Sequence, residues 1–375
     1  MKARVAIAVA LALSLSGTAA DAAPRCESTS EGRPDHQPTG NRLVWPCQAI
    51  QGEWRDFALD EAPAWVVAHP TRPRDRWVIA AADGIVSEFR QGRLSEVGRL
   101  EPGDPPLVHD RSGALIVSSR SDTSTETADR VPHSRIASAG FSLARLAGPT
   151  DRYAHGVLGD EIEASALAIG SDVGPGVRVE LDGPEVIEGI SAIAAELSDN
   201  GPFGFLVTVG DADVGARLRA YDEDGAAIAE SDPIGQGYRW LHQIGVGPTG
   251  PGGEVEIIAV RTPHIGGVVE AYRLNGDRFE RVAAIEGYSS HVLGSPNLDM
   301  ALLADTDADG QLEVIVPTQD MTELAIIERT ADGFAEVVRL PLDGRLATNV
   351  AAAVDEQGRL SLAAATDDGR LRIFR

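Results

Sequence analysis

From about residue 63 to the C-terminus, the chain repeats one rhythm of short apolar runs separated by glycine-bearing turns. The clearest copy opens with "MALLAD", crosses the acidic loop "TDADG" into "LEVIVP", and turns at "TQDMTE". It then runs along "LAIIER", turns at "TADG" and ends with "FAEVVRL". The segment before it reads "LHQIGVG", "VEIIAVR", "GVVEAYRL", the turn "NGD" and "RFERVAAI". Near the start of the series the same order returns as "WVVAHP", "RWVIAAA", "GIVSEFR", "QG" and "RLSEVGRL". Each run has strand length and is bounded by turn-forming dipeptides, so each is predicted to be a β-strand. No stretch beyond the extreme N-terminus carries a helical period. The repeating unit is about 40–50 residues long, the size of a four-stranded propeller blade.

Set out on this rhythm, residues 53–375 form a single domain of seven blades. Their inner strands are expected to begin near Trp65, Pro106, Ala154, Ile193, Leu241, Leu298 and Asn349. The second blade carries the polar insertion "SDTSTETADRVPHS", and the third and fourth are degenerate, so six or eight blades remain open. The last unit, "VAAAVD", "LSLAAAT" and "GRLRIFR", stops one strand short, while "EWRDFALD" resembles an outermost strand with no blade before it. Pairing the two would close a ring and remove its open edges. The fold expected is therefore an all-β, seven-bladed β-propeller of four-stranded antiparallel blades, closed by an N-terminal strand. A β-sandwich array is the alternative.

The N-terminus changes the picture of where this domain works. Lys2 and Arg4, the apolar "VAIAVALALSL" and the small-residue "SGTAA" have the layout of a signal peptide, residues 1–20, cut after Ala20. The periplasm or the extracellular space is the expected location, and no later segment is long and apolar enough to span a bilayer as a helix. In such a compartment the chain's two cysteines, Cys26 and Cys47, are expected to form a disulfide pinning a Pro- and Gly-rich leader, residues 21–52. A net charge of −24 makes nucleic acid a poor partner and suits divalent cations. A monomer is expected.

Asp305, Asp307 and Asp309 alternate, Gly310 permits a sharp bend, Gln311 can offer a carbonyl, and Glu313 follows on the next strand. Hard oxygen ligands in this number suit Ca²⁺ better than Mg²⁺, which keeps more of its water. The pattern D-x-D-x-D-G-x-x-E between strands resembles the FG-GAP or VCBS-type repeat, the calcium-loop blade also found in integrin α-chain propellers. The resemblance is strong over the sixth blade and elsewhere rests on rhythm. It implies a structural calcium site between a blade's first and second strands. The corresponding loops "PTGPGGEVE", "ELSDNGPFG" and "AVDEQGRLS" keep the turn without enough carboxylates in register.

In a propeller, loops that lead into inner strands and loops joining second to third strands share one face. Tyr153 and His155, Tyr238 to His242, and Tyr288 and His291 would lead into inner strands there, and Arg261, Thr262 and His264 would lie in an adjoining turn. The candidate ligand-binding residues are thus His155, Tyr238, Arg239, Trp240, His242, Arg261, Thr262, His264, Tyr288 and His291. Aromatic rings would supply apolar walls, Arg239 and Arg261 would hold an anionic group, and the imidazoles would titrate near neutrality. Such residues can also serve as inter-blade hydrogen-bonders. No G-x-S-x-G elbow, HExxH or phosphate cradle occurs. The reading is a calcium-bearing binding or scaffold propeller for a protein, glycan or small-molecule ligand, with a periplasmic hydrolase or lyase using the histidine-rich face as the alternative.

Overall fold

Runs that are apolar at every position, rather than at alternate ones, belong in strands covered on both faces. In the computed structural model, which describes residues 34–72, 75–111, 114–121, 129–171 and 174–375, that is where they lie. The expected signal peptide, the start of the leader and Cys26 are outside the described residues, so the expected Cys26–Cys47 pairing is too.

Two short strands come first, β1 (Leu43–Val44) and β2 (Trp54–Ala58). An antiparallel group in chain order follows: β3 (Pro63–Ala68), β4 (Arg76–Ala81), β5 (Ile85–Arg90) and β6 (Arg93–Arg99). The strands β7 (Pro106–Arg111) and β8 (Ala114–Ser119) make a pair. The next group is β9 (Ala137–Ala139), β10 (Ser142–Thr150), β11 (Glu163–Ser171) and β12 (Gly174–Glu180). After it come β13 (Val186–Glu196), β14 (Phe203–Gly210), β15 (Arg217–Tyr221) and β16 (Ala227–Ser231). The fifth and sixth units are β17 (Leu241–Pro248), β18 (Val255–Arg261), β19 (Val268–Asn275) and β20 (Arg278–Glu286), then β21 (Leu302–Ala304), β22 (Glu313–Pro317), β23 (Glu323–Thr330) and β24 (Gly333–Pro341). The chain ends with β25 (Ala351–Val354), β26 (Leu360–Thr366) and β27 (Arg370–Phe374).

The N-terminal strand β2 completes this last group by pairing antiparallel with β27, from Trp54 opposite Phe374 to Ala58 opposite Arg370. First and last groups are thereby sewn together, and the architecture is an all-β propeller. Two expectations about the middle of the chain need correction. The third group's inner strand begins at Ala137, not Ala154, because residues 151–162 are a long loop between β10 and β11. The fourth begins at Val186, and its register breaks between Glu188 and Ile193.

Blades stacked face to face bury their middle strands: every residue of β22 and β26 is buried, as are all but the end residues of β18. The core is consequently a series of apolar layers, each between successive groups. One unites Leu302, Ile315 and Ile326 with Val350 and Leu362, and another joins Val66 and Trp77 to Ala351 and Ile373. A buried ion pair adds to one seam, where Arg329 on β23 grips Glu256 on β18 through two bonds of 3.0 and 3.1 Å.

The leader was expected to be a loose strap held by a disulfide. Its described part instead threads the axis of the ring, hydrogen-bonding to inner strands as it passes them. The Ser138 and Ala194 N–H groups donate to the Pro38 and Thr39 carbonyls at 2.7 and 2.8 Å. The Asn41 side chain behaves like a strand's peptide group, donating to the Val246 carbonyl (2.8 Å) and accepting from the Val246 N–H (3.0 Å). Next, β1 pairs in parallel with β21. The Cys47 N–H then donates to the Gly358 carbonyl at 2.8 Å.

At the centre, Arg42 donates to the carbonyls of Asp299 (2.8 Å) and Val350 (2.7 Å) and to Asp35 Oδ1 (2.9 Å). Asp299 also receives Arg135 at 2.7 Å and Arg120 at 3.2 Å, and all these groups are buried. Burial acts to raise the Asp299 carboxyl, but the guanidiniums of Arg135, Arg42 and Arg120 outweigh it and hold the group well below the usual range. Losing one partner of a buried pair leaves an uncompensated charge, at a cost of about 3–5 kcal/mol. Asp299→Asn is therefore expected to lower unfolding free energy in denaturant titrations by that order. Glu323→Gln, which removes the exposed partner of Arg339, is expected to change it by less than about 1 kcal/mol.

Candidate functional site

One mouth of the axis is covered by two loops from units that are not neighbours in the ring. Residues 151–162, after β10, meet residues 287–301, before β21, where the Gly294 N–H donates to the Val157 carbonyl at 2.9 Å. The approach is close: a Cβ on Gly159, whose φ is +99°, would lie 2.6 Å from the Gly294 carbonyl oxygen. Val157, Leu158, Ile190, Trp240 and Leu298 form a small apolar cluster beneath them.

Three of the expected histidines converge here. Trp240 stacks on His242 with centroids 4.6 Å apart, lies 6.0 Å from His264, and meets His291 edge-on at 5.1 Å. Their hydrogen bonds assign the tautomers. His291 Nε2 lies 2.6 Å from the Ser295 carbonyl, which can only accept, so this nitrogen carries the proton. A neutral His291 must then accept at Nδ1, and His264 Nε2–H, 2.8 Å away, is the donor. His242 Nδ1 is engaged by the Ser290 hydroxyl at 2.7 Å. The expectation that these rings titrate near neutrality is not met. Burial removes the water that would solvate an imidazolium, pushing His264 down to about 4, His291 to about 3, and His242 well below the usual value.

His155 does reach the same face, although by a different route from the one expected. It sits in the loop joining the second and third strands of its unit, and its Nδ1 lies 2.6 Å from Glu188 Oε1. Tyr153 is buried and stacks on Tyr238 at 4.9 Å and 6°. Tyr238 is 46% exposed, and both it and Thr262 have left-handed backbones, with φ of 53° and 48°. His155, Tyr238 and Thr262, with Arg239, Trp240, Pro263, His264 and Ile265, line a shallow cleft of about 30 Å³.

Two expected residues belong elsewhere. Arg261 lies outside the cleft and donates its Nε to buried Glu270 at 2.9 Å, alongside Arg281 and Tyr272. Tyr288 is buried and donates to Glu336 at 2.5 Å across a seam, so it forms no wall. Arg239 remains, its Nη1 donating to the Tyr238 carbonyl. Sequence reasoning missed Glu163 and Glu188, two buried carboxyls near His155. Burial raises both, and repulsion between them takes Glu163 to about 9. The signal was present for Glu188, an acidic residue set inside the largely apolar run of β13, whereas Glu163 opens β11 shortly after Asp160 and Glu161.

On the β21–β22 loop, Asp305, Asp307 and Glu313 each offer a carboxylate oxygen, all within 4.8 Å of one another. Asp309 instead accepts the Gln311 N–H (2.8 Å), and the Gln311 amide donates to the Arg329 carbonyl (3.0 Å). Glu313 Oε2 accepts from the N–H and hydroxyl of Thr306, both at 2.6 Å. Burial, with repulsion from neighbouring carboxylates, raises Asp305 and Asp307 to about 6 and Glu313 well above its usual range.

No protein-family model matches this chain, and no curated protein matches it. Among solved structures it is similar to BBS1N in a complex with ARL6DN, at 12% identity and a TM-score of 0.51, over 87% of this chain and 97% of that one. It also matches BamB from Moraxella catarrhalis at 11% identity and a TM-score of 0.42, over 87% and 99% of the two chains. The likeness is one of fold.

The depressed imidazoles have a thermodynamic consequence. An unfolded histidine takes up its proton near pH 6.5, before the folded one does, so stability is full above that pH and falls as the folded values are approached. The stability difference between wild type and His291→Asn is expected to shrink between pH 6.5 and about 3, by up to about 1.4 kcal/mol per pH unit, in denaturant titrations at successive pH values.

Proposed function

We propose that this protein is an exported, seven-bladed binding propeller whose loop face receives a protein partner through Tyr238, Arg239, Thr262, His264 and Ile265, with His155 and Trp240 supporting them. The seven-blade reading rests on six four-stranded groups plus the β7–β8 pair. The observation that carries binding is the cleft itself. At about 30 Å³ it is far smaller than the roughly 300–1,000 Å³ of small-molecule sites, yet Tyr238 and Ile265 stand 46% and 64% exposed around it. A shallow aromatic surface with an arginine beside it has the composition of an interface hot spot. The left-handed Tyr238 and Thr262 are strained conformers of the kind that collect at functional sites.

Catalysis is less well supported, because four of the six ring nitrogens of His242, His264 and His291 are engaged with one another, Ser290 or Ser295, and burial depresses all three rings. Too little basicity is left for a general base at neutral pH. A partner protein would instead bury the apolar tips and the exposed guanidinium. Quantitative affinity capture from the exporting compartment should recover a partner with wild type. It should lose that partner with Tyr238→Ala/Ile265→Asp and keep it with Val337→Asp on the distant β24. Measured affinity for that partner should fall by about 30-fold or more in the double variant. Equal capture by all three proteins would refute this reading.

On the opposite side of the blades, the FG-GAP or VCBS-like loop is proposed to hold one structural Ca²⁺ through Asp305, Asp307 and Glu313, with Asp309 and Gln311 turning inward on binding. A divalent cation would offset the burial and the mutual repulsion that raise these carboxyls. Extracellular-type sites bind at about 10⁻⁴–10⁻³ M, so millimolar Ca²⁺ is expected to raise the melting temperature of wild type and not of Asp307→Ala. No calorimetric heat at millimolar Ca²⁺ would exclude the site.

A further inference from the structure

Inside the ring, beneath the histidine cap and beside the threaded leader, is a cavity of about 270 Å³. Its wall includes Arg42, Arg120, Arg135, Asp35 and Asp299 on one side, and Thr208, His242 and Gln243 on the other. The charge on the first side does not balance, with three guanidiniums facing two carboxylates. All are buried, Arg120 with 10% of its side chain exposed and the other four with less. Burial, with Arg135 close by, lowers Arg120 to about 10, the direction produced by a crowded, desolvated excess of positive charge. A buried charge without a counterion is costly enough that such groups are normally paired.

Arg120 and Arg135 are less committed than Arg42, and Arg135 Nε and Nη2 are buried with no hydrogen-bond partner among the described residues. Arg120 Nη1 donates to Asp299 at 3.2 Å, and among the described residues its Nε and Nη2 have no hydrogen-bond acceptor. Arg135 is held with its guanidinium 5.4 Å from the Trp65 ring centroid and its Nη1 on Asp299. Arg42 is fixed by the leader contacts already described. Arg120 and Arg135 thus each keep Nε and Nη2 without an acceptor, and a planar fork of this kind takes a carboxylate or phosphate through paired N–H bonds.

The cavity borders one seam of the ring. Apolar layers occupy the seams between the other successive groups, whereas among the described residues no such layer joins β7–β8 to the β9–β12 group. The cavity lies at that seam, bordered by Leu107, Ser119 and Ile136, the last 40% exposed. The far wall supplies neutral polar groups, among them the Gln243 amide, whose Nε2 is spent on the Ser191 carbonyl while its Oε1 has no partner. Glu188 also lines the cavity; burial raises its carboxyl, and its Oε1 lies 2.6 Å from His155 Nδ1.

We propose that this axial cavity is a binding site for a small organic oxyanion, a carboxylate or phosphate monoester, received by Arg120 and Arg135 with Arg42 behind them. Its volume is close to the lower end of the roughly 300–1,000 Å³ typical of ligand sites, which limits the occupant to a compact molecule. Because the cluster also anchors the leader, an occupant would stabilise the whole ring by mass action.

The test uses the full mature chain with succinate, acetate and inorganic phosphate as probes, at ionic strength held constant with sodium chloride. Isothermal titration and melting curves should show saturable binding of at least one probe, and the preferred probe tells carboxylate from phosphate. Arg120→Gln should weaken that binding at least tenfold, Ile136→Trp should block it while leaving every charge in place, and Tyr238→Ala on the outer face should leave it unchanged. If Arg120→Gln does not fold, the Ile136→Trp result decides. Saturable binding by none of the probes would overturn the proposal, as would binding that survives Ile136→Trp, the signature of an adventitious surface ion only.

Discussion

The carboxylate of Asp299 sits where three guanidiniums reach the axis of the ring, and the rest of the structure is arranged around keeping them paired. Arg42 comes from the leader, Arg120 from the end of β8, and Arg135 from just before β9, so one anion ties three distant parts of the chain together. An ion cluster at this depth is a weak source of net stability, since desolvation offsets most of the attraction. What it supplies is specificity. A leader that slipped along the channel would strand Arg42 away from Asp35 and Asp299, leaving buried charges unpaired.

A propeller has a structural difficulty at its centre, where inner strands present backbone groups to a channel too narrow for another sheet. The leader answers it locally. Thr39 and Pro38 offer carbonyls to two inner strands, Asn41 imitates a peptide group against a third, and β1 adds a short parallel ladder to a fourth. A similar device closes the ring elsewhere, where the Asn349 amide bonds both the N–H (2.9 Å) and the carbonyl (2.7 Å) of Val66. These contacts make the leader part of the core. The histidine cap, its two loops touching across the axis, closes the nearby mouth.

Much of the ring was legible because its strands announce themselves. The runs "VEIIAVR" and "LSLAAAT" are apolar throughout, as only strands covered on both faces can be, and the orphan "EWRDFALD" pairs with β27 as its pattern implied. The third unit misled because "ASAGFSLARLAGPT" opens with three strand residues, too few to register as a run, before a long second strand. His155 was nevertheless assigned to its correct face, since inner-strand approaches and second-to-third loops share a side. The basicity of the histidines was misjudged for a different reason. Spacing places imidazoles together, but burial decides whether they can be charged, and burial is a property of loops folding over them.

The sequence by itself determined the strand-and-turn alphabet, its period, the ring's closing strand and the convergence of His242, His264 and His291. All of these follow from local periodicity and from which side of a blade each loop must occupy. Only tertiary structure decided that the leader runs through the axis, that Arg261 and Tyr288 are spent on neighbouring strands, and that Arg120, Arg135 and Asp299 meet at all. Those three residues stand up to 179 positions apart with nothing periodic linking them. Charges far apart in sequence are brought together only when the ring closes and removes the water between them.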